Sequence, residues 1–261
     1  MYKLISRSLF VGTLVSLPML APQAEARILQ EITESTRTAR GVEASNSKGG
    51  SSCNRLNQVS SPVRGGRVAF EHWVEKCGER SEFSTMRTRI GSTYWYGWSV
   101  YIPDRRLSDS YDILAQWATY PTSRRFACGA NGSYMIRSGD SISFNFQRQG
   151  ERSDVECSSY SLGSTSEFQG KWVDFVMHAK WTGNRDGFVR LWTKVGNGSY
   201  VQKVNYTGRT FWNDEGDGPY FKMGLYKGDP NWSGAAPQYI YTDEFRLGDV
   251  NSNFDEVAPR R

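Results

Sequence analysis

From Arg67 to Leu247 the chain is built of short runs rich in aromatic and β-branched residues, separated by turn-forming residues, and nothing between them keeps a helical period. The runs are Arg67–Trp73, Thr93–Ile102, Tyr111–Trp117, Ser133–Arg137, Ser141–Gln147, Trp172–Trp181, Gly187–Lys194, Tyr200–Tyr206, Tyr220–Tyr226 and Tyr239–Leu247. Each predicts a strand. Many short strands in one chain must bury alternate side chains, and two antiparallel sheets packed face to face do this. The run Trp172–Trp181 shows how: Phe175, Met177, Ala179 and Trp181 point one way, and Asp174, Val176, His178 and Lys180 the other.

The expected fold is therefore all-β, a jelly-roll sandwich of two antiparallel sheets made by a single domain over residues 51–261. Residues 27–50 are poor in aromatics and rich in Ser, Thr, Gly and Asn, which predicts a flexible lead-in. Residues 1–26 read as a signal peptide, with Lys3 and Arg7 ahead of an apolar stretch from Leu9 to Leu20 and a small-residue Ala24-Glu25-Ala26. A secreted or periplasmic location follows. The apolar stretch is too short for a membrane span, Pro18 interrupts it, and no later run is long enough, so no membrane partner is expected.

Four cysteines, Cys53, Cys77, Cys128 and Cys157, all follow the leader and are never two residues apart, as zinc ligands usually are. They predict two disulfides. Of the three pairings, local closure favours Cys53 with Cys77 and Cys128 with Cys157.

The formal net charge is +5, and loss of the leader's two basic residues and one acidic residue leaves +4. That field favours a polyanionic partner. No zinc-finger spacing, basic helix or single-strand-binding signature points to nucleic acid. An acidic polysaccharide is the expected partner, of a monomeric protein.

Three segments bear on chemistry. They are Arg80-Ser81-Glu82-Phe83; Ile113-Leu114-Ala115-Gln116-Trp117, which follows Trp98-Ser99-Val100-Tyr101-Ile102-Pro103-Asp104; and Tyr220-Phe221-Lys222-Met223-Gly224-Leu225-Tyr226. In this order they resemble the signature segments of concanavalin-like jelly-roll polysaccharide lyases: the alginate-lyase group and the related glucuronan-lyase and heparin-lyase-like groups. The resemblance runs from about Pro62 to Gly248. It implies Gln116 as the catalytic glutamine and Tyr226 as the catalytic tyrosine. Alginate lyases carry His two residues after the glutamine and Gln two residues after the second tyrosine, where this chain has Ala118 and Gly228. In the glucuronan-lyase-like group the histidine comes from a strand before the Arg-x-Glu segment, and His72 occupies that place.

The residue types suit β-elimination across C4 and C5 of a uronate. Gln116, Arg80 or a protonated His72 would neutralise the carboxylate and stabilise the enolate-like intermediate. Tyr226 would take the C5 proton if Arg80 or Lys222 lowered its pKa from about 10, and would return a proton to the leaving oxygen. Lys222, Tyr220, Glu82, Trp117 and His178 are the expected substrate-binding residues. Arg80 and Glu82 also admit a purely structural reading as a cross-strand ion pair. No metal or organic cofactor is required, and structural calcium is compatible with such a fold but not indicated.

Other chemistries lack their residues. There is no Glu-x-Asp-x-x-Glu array for a sandwich glycosidase, no Gly-x-Ser-x-Gly elbow, and no thiol left over from the expected disulfides. A non-catalytic, lectin-like jelly roll for acidic glycans is the alternative reading.

Overall fold

In the computed structural model the described residues are 27–33, 43–47, 50–103, 111–118, 132–149, 155–213, 216–229, 231–232 and 234–260. They form fifteen strands and three single-turn helices. The strands are β1 (Ile28–Ile32), β2 (Glu43–Ser47), β3 (Asn54–Val59), β4 (Ala69–Val74), β5 (Arg80–Arg87), β6 (Thr93–Tyr101), β7 (Asp112–Ala118) and β8 (Gly132–Ser138). They continue as β9 (Ser141–Gln149), β10 (Val155–Ser164), β11 (Trp172–Lys180), β12 (Phe188–Val195), β13 (Val201–Thr207), β14 (Tyr220–Lys227) and β15 (Gln238–Gly248). The helices are α1 (Gly50–Cys53), α2 (Thr165–Phe168) and α3 (Phe254–Val257). None of the described helices is long and apolar enough to cross a membrane.

The strands form two antiparallel sheets. An eight-stranded sheet runs β13-β12-β11-β6-β15-β4-β3, with β1 also paired to β15, and a seven-stranded sheet runs β10-β9-β8-β7-β14-β5-β2. This is the predicted jelly-roll sandwich, and all ten predicted runs contain strands. Five further strands lie outside those runs; β5 was met only as the Arg80-Ser81-Glu82-Phe83 segment, and the other four were not anticipated. Residues 27–50, expected as a flexible lead-in, supply β1 on the edge of β15 and β2 on the edge of β5. The polar segments β3 and β10 close the opposite ends of the two sheets.

Alternation along each strand sends one set of side chains between the sheets. Phe175, Met177, Ala179 and Trp181 of β11 and its exit are fully buried there, as the period of two predicted. Trp98 of β6 stacks on Phe175 with centroids 5.0 Å apart, while Phe221 of β14 stacks on Phe245 of β15 at 5.3 Å. The Trp181 indole donates to the Tyr96 hydroxyl at 2.9 Å, so that buried polar group is satisfied. At about 1.5–3 kcal/mol for each large apolar side chain buried, this aromatic layer is the main force clamping the sheets together.

Cys53 and Cys77 form a disulfide that ties α1 to the turn before β5, with Cα atoms 5.3 Å apart. Cys157 is also disulfide-bonded. Its expected partner Cys128 and the expected signal peptide, residues 1–26, lie outside the described residues.

Candidate active site

The three resemblance segments fold as β5, β7 and β14, and β14 lies between the other two in the seven-stranded sheet. The register sets Lys222 opposite Gln116, Gly224 opposite Glu82 and Tyr226 opposite Arg80. Alternation then separates the faces. Ser81, Phe83, Ala115, Trp117, Phe221, Met223 and Leu225 turn inward and are buried. Arg80, Glu82, Gln116, Tyr220, Lys222 and Tyr226 belong to the opposite, outer face.

On that face the Glu82 carboxylate is the hub. It accepts a hydrogen bond from Gln116 Nε2 at 2.6 Å and another from Lys222 Nζ at 2.5 Å, and Arg80 Nη1 lies 4.0 Å away. Glu82, Gln116 and Lys222 are only 1 %, 7 % and 4 % exposed. In such a low-dielectric setting charge-assisted bonds hold their partners firmly. A carboxylate can only accept, so the contact fixes which end of the Gln116 amide faces Glu82. The amide nitrogen carries a second N–H. The arrangement can present N–H donors to an anion lying over the face.

Tyr226 stands beside this hub. Arg80 lies over its ring, 4.0 Å from the centroid, and Arg80 Nη2 donates to the Glu79 carboxylate at 3.0 Å. The expected lowering of the Tyr226 pKa is not what the site produces. Burial pushes the phenol above its ordinary value, and although Arg80 pulls it down, the charge of Glu79, a hydrogen bond to Glu79 and the charge of Glu82 push it up. Tyr226 is a neutral phenol at neutral pH. Tyr220, at the other end of β14, lies under Arg87, 6.0 Å from ring to guanidinium carbon.

Three predicted site residues stand elsewhere. His72 of β4 is 0 % exposed and lies beneath the sheet rather than on its outer face, because it alternates in phase with Phe70 and Val74. Its Nδ1 donates to the Ser81 carbonyl at 2.8 Å, so Nε2 accepts from the Thr242 hydroxyl at 2.7 Å. Burial pushes its pKa down to about 4, which keeps it neutral and removes the protonated role expected of it. The same packing explains Gly224, whose φ is +145°: a Cβ there would stand 2.2 Å from the Ser81 oxygen and 2.6 Å from His72 Nδ1.

Trp117, expected to bind substrate, is a core residue instead. It is 1 % exposed, with its ring centroid 4.9 Å from Phe221 and 5.5 Å from Phe144, because it follows Gln116 and so takes the opposite face. His178 belongs to β11 of the other sheet, stacked on Trp95 at 3.8 Å, with its pKa held down to about 4 by burial and by Arg190. The sequence reading also passed over Glu79. It immediately precedes β5 and has no place in the alternation of that strand. Among the described residues no group of three or more His, Cys, Asp or Glu side chains could hold a metal ion.

Known proteins share this architecture at low identity. The endo-β-1,4-glucuronan lyase of the fungus Trichoderma reesei superposes with a TM-score of 0.66 at 18% identity, over 86% of this chain and 100% of that one. The marine PL-14 alginate lyase of Aplysia kurodai gives 0.53 at 11%, over 74% and 86%. A carbohydrate esterase from the Shiga toxin-encoding bacteriophage phi24B gives 0.52 at 12%, over 87% and 100%, so the fold by itself does not name a chemistry. No curated protein matches the chain in sequence. The family description "Polysaccharide lyase", however, matches residues 34–246, a span that contains all three strands of the site, and the chain belongs to that family.

Proposed function

We propose that the protein cleaves a uronic-acid polysaccharide by β-elimination on the outer face of the seven-stranded sheet, leaving unsaturated uronate ends. The observation that carries this reading is the Glu82 hub, which holds Gln116 and Lys222 beside Tyr226 under Arg80. The uronate carboxylate takes hydrogen bonds from the second Gln116 N–H and from the cationic groups, and this acidifies C5–H and stabilises the enolate-like intermediate. Tyr226 takes the C5 proton and delivers one to O4 as the C4–O4 bond breaks. His72 acts from below by holding the Ser81 carbonyl, not by touching the sugar.

A β-1,4-linked glucuronate chain is the favoured substrate class. The name of the Trichoderma reesei enzyme suggests it, and the site disfavours the alginate-lyase pattern at one position. Gly228 stands where that pattern has glutamine, and a Cβ there would lie 1.7 Å from the Tyr111 ring, whose hydroxyl donates to the Gly228 carbonyl. Any side chain would have to displace Tyr111.

The test is incubation of the purified protein with glucuronan, alginate, heparin and pectate, following the ultraviolet absorbance of the unsaturated product. Absorbance growth on glucuronan ahead of the others is expected. Tight polyuronate binding with no absorbance change on any polymer would replace the reading with a lectin-like one.

A further inference from the structure

A base that is a neutral phenol must lose its own proton before it can take another. A carboxylate, a stronger base than water, is already in place just ahead of β5. Glu79 has its main chain pinned at both its polar groups: its N–H donates to the buried Asn54 side-chain oxygen at 3.0 Å, and its carbonyl accepts from the N–H of Lys227, the residue after Tyr226, at 2.7 Å. Asn54 also takes the Arg80 N–H at 3.2 Å. The Glu79 carboxylate is thereby set against Arg80 Nη2 at 3.0 Å, and the same guanidinium lies over the Tyr226 ring, 4.0 Å from its centroid, so Arg80 touches both side chains. Glu79 in turn raises the phenol's pKa.

We propose that Glu79 is the positioning residue that receives the phenolic proton of Tyr226 when substrate binds, with Arg80 clamping the two side chains together. This rests on the β-elimination reading of Tyr226. The Tyr226 O–H bond breaks and its proton passes to Glu79. The phenolate oxygen takes the C5 proton while the C5–H electron pair moves into the enolate. The enolate then expels O4, which takes the proton from Tyr226, and Glu79 returns its proton to the phenolate. One proton has moved from C5 to O4, and both side chains are restored.

The charged groups around Tyr226 leave Glu79 as the acceptor. Glu82, the other carboxylate on this face, is engaged by Gln116 and Lys222. From β7 the register partner of Tyr226 is Ile113, which carries no charge, and Asp112 is paired with Lys227 and Arg137 in the buried layer. Arg80 is the cation over the ring.

The experiment compares the pH dependence of kcat/KM on glucuronan for wild type, Glu79→Gln and Glu79→Asp, together with NMR titration of 13C-labelled tyrosine, Tyr226 being assigned from Tyr226→Phe. Loss of about 100-fold is expected for Glu79→Gln at neutral pH, shrinking as the pH rises and solvent deprotonates the phenol, with partial rescue by Asp. The Tyr226 titration should move to lower pH in Glu79→Gln, because a negative neighbour and acceptor are gone. The titration is independent of turnover, so it tests the Glu79–Tyr226 link even if no polymer is cleaved. A rate ratio constant with pH, or an unmoved Tyr226 titration, would overturn the proposal.

Discussion

Replacing Glu82 by Gln isolates the hub without changing its shape. The native carboxylate offers two acceptor oxygens, one to Gln116 at 2.6 Å and one to Lys222 at 2.5 Å, in a setting where all three side chains are nearly sealed from solvent. The amide offers only one oxygen, and its NH2 must confront a donor. A hydrogen bond to a charged group is worth about 1.5–3 kcal/mol, and removing one partner of a buried pair costs about 3–5 kcal/mol. Arg80 at 4.0 Å is relieved of nothing comparable, so a loss of about 3 kcal/mol is expected, or about 6–12 °C in Tm for a domain of this size. Thermal unfolding of Glu82→Gln, Lys222→Met and the double variant measures it. The two single losses should overlap, with a coupling of about 2 kcal/mol, since the double variant leaves no buried ammonium behind. Additive effects, or a Tm change for Glu82→Gln below about 2 °C, would refute the hub.

Other outcomes follow from burial and chain connectivity. His72 has its folded pKa near 4 against 6.5 when free, so stability is intact above about 6.5 and falls by about 3 kcal/mol as the pH drops to 4; a denaturation series should show this slope in wild type and not in His72→Gln. Asp243, pushed up to about 6 chiefly by burial, acts oppositely in part of that window, its contribution falling as the pH rises from about 4 to 6, and Asp243→Asn should steepen the acid loss. Trp117→Ala should cost about 3–5 kcal/mol by leaving a cavity among Phe221, Phe144 and Trp98, whereas Trp117→Phe should leave substrate KM nearly unchanged. Cys77→Ser opens a loop closed across a separation of 24 residues and should cost about 3 kcal/mol in chemical denaturation under oxidising conditions.

The sandwich was legible because its inner faces are aromatic, and the period of two in a run such as Trp172–Trp181 survives any detail of packing. Strand β5 was legible only as a motif. Its inner positions include Ser81 and Thr85, which bond the Arg55 carbonyl and the Phe221 N–H and so need no apolar side chain, while its outer positions begin with the charged Arg80 and Glu82. Strand β10 is a serine-rich edge with little to bury. The misplacement of His72 and Trp117 came from weighing residue type above phase: alternation with Phe70 and Val74, and adjacency to an outward Gln116, already pointed both inward. The ionisation of Tyr226 was not legible. It depends on how burial and three charged neighbours sum, and only the fold brings Glu79 to the phenol.

The most direct test of the account is the Tyr226→Phe variant, which removes a single oxygen from the outer face of the seven-stranded sheet and leaves Arg80, Gln116 and Lys222 in place. Polyuronate binding and formation of unsaturated ends would be measured side by side with wild type. Binding within a few-fold of wild type, with product formation lost by at least about 1,000-fold, is the predicted result. Full lyase activity in Tyr226→Phe would contradict the assignment of the site and of Tyr226 as its base and acid.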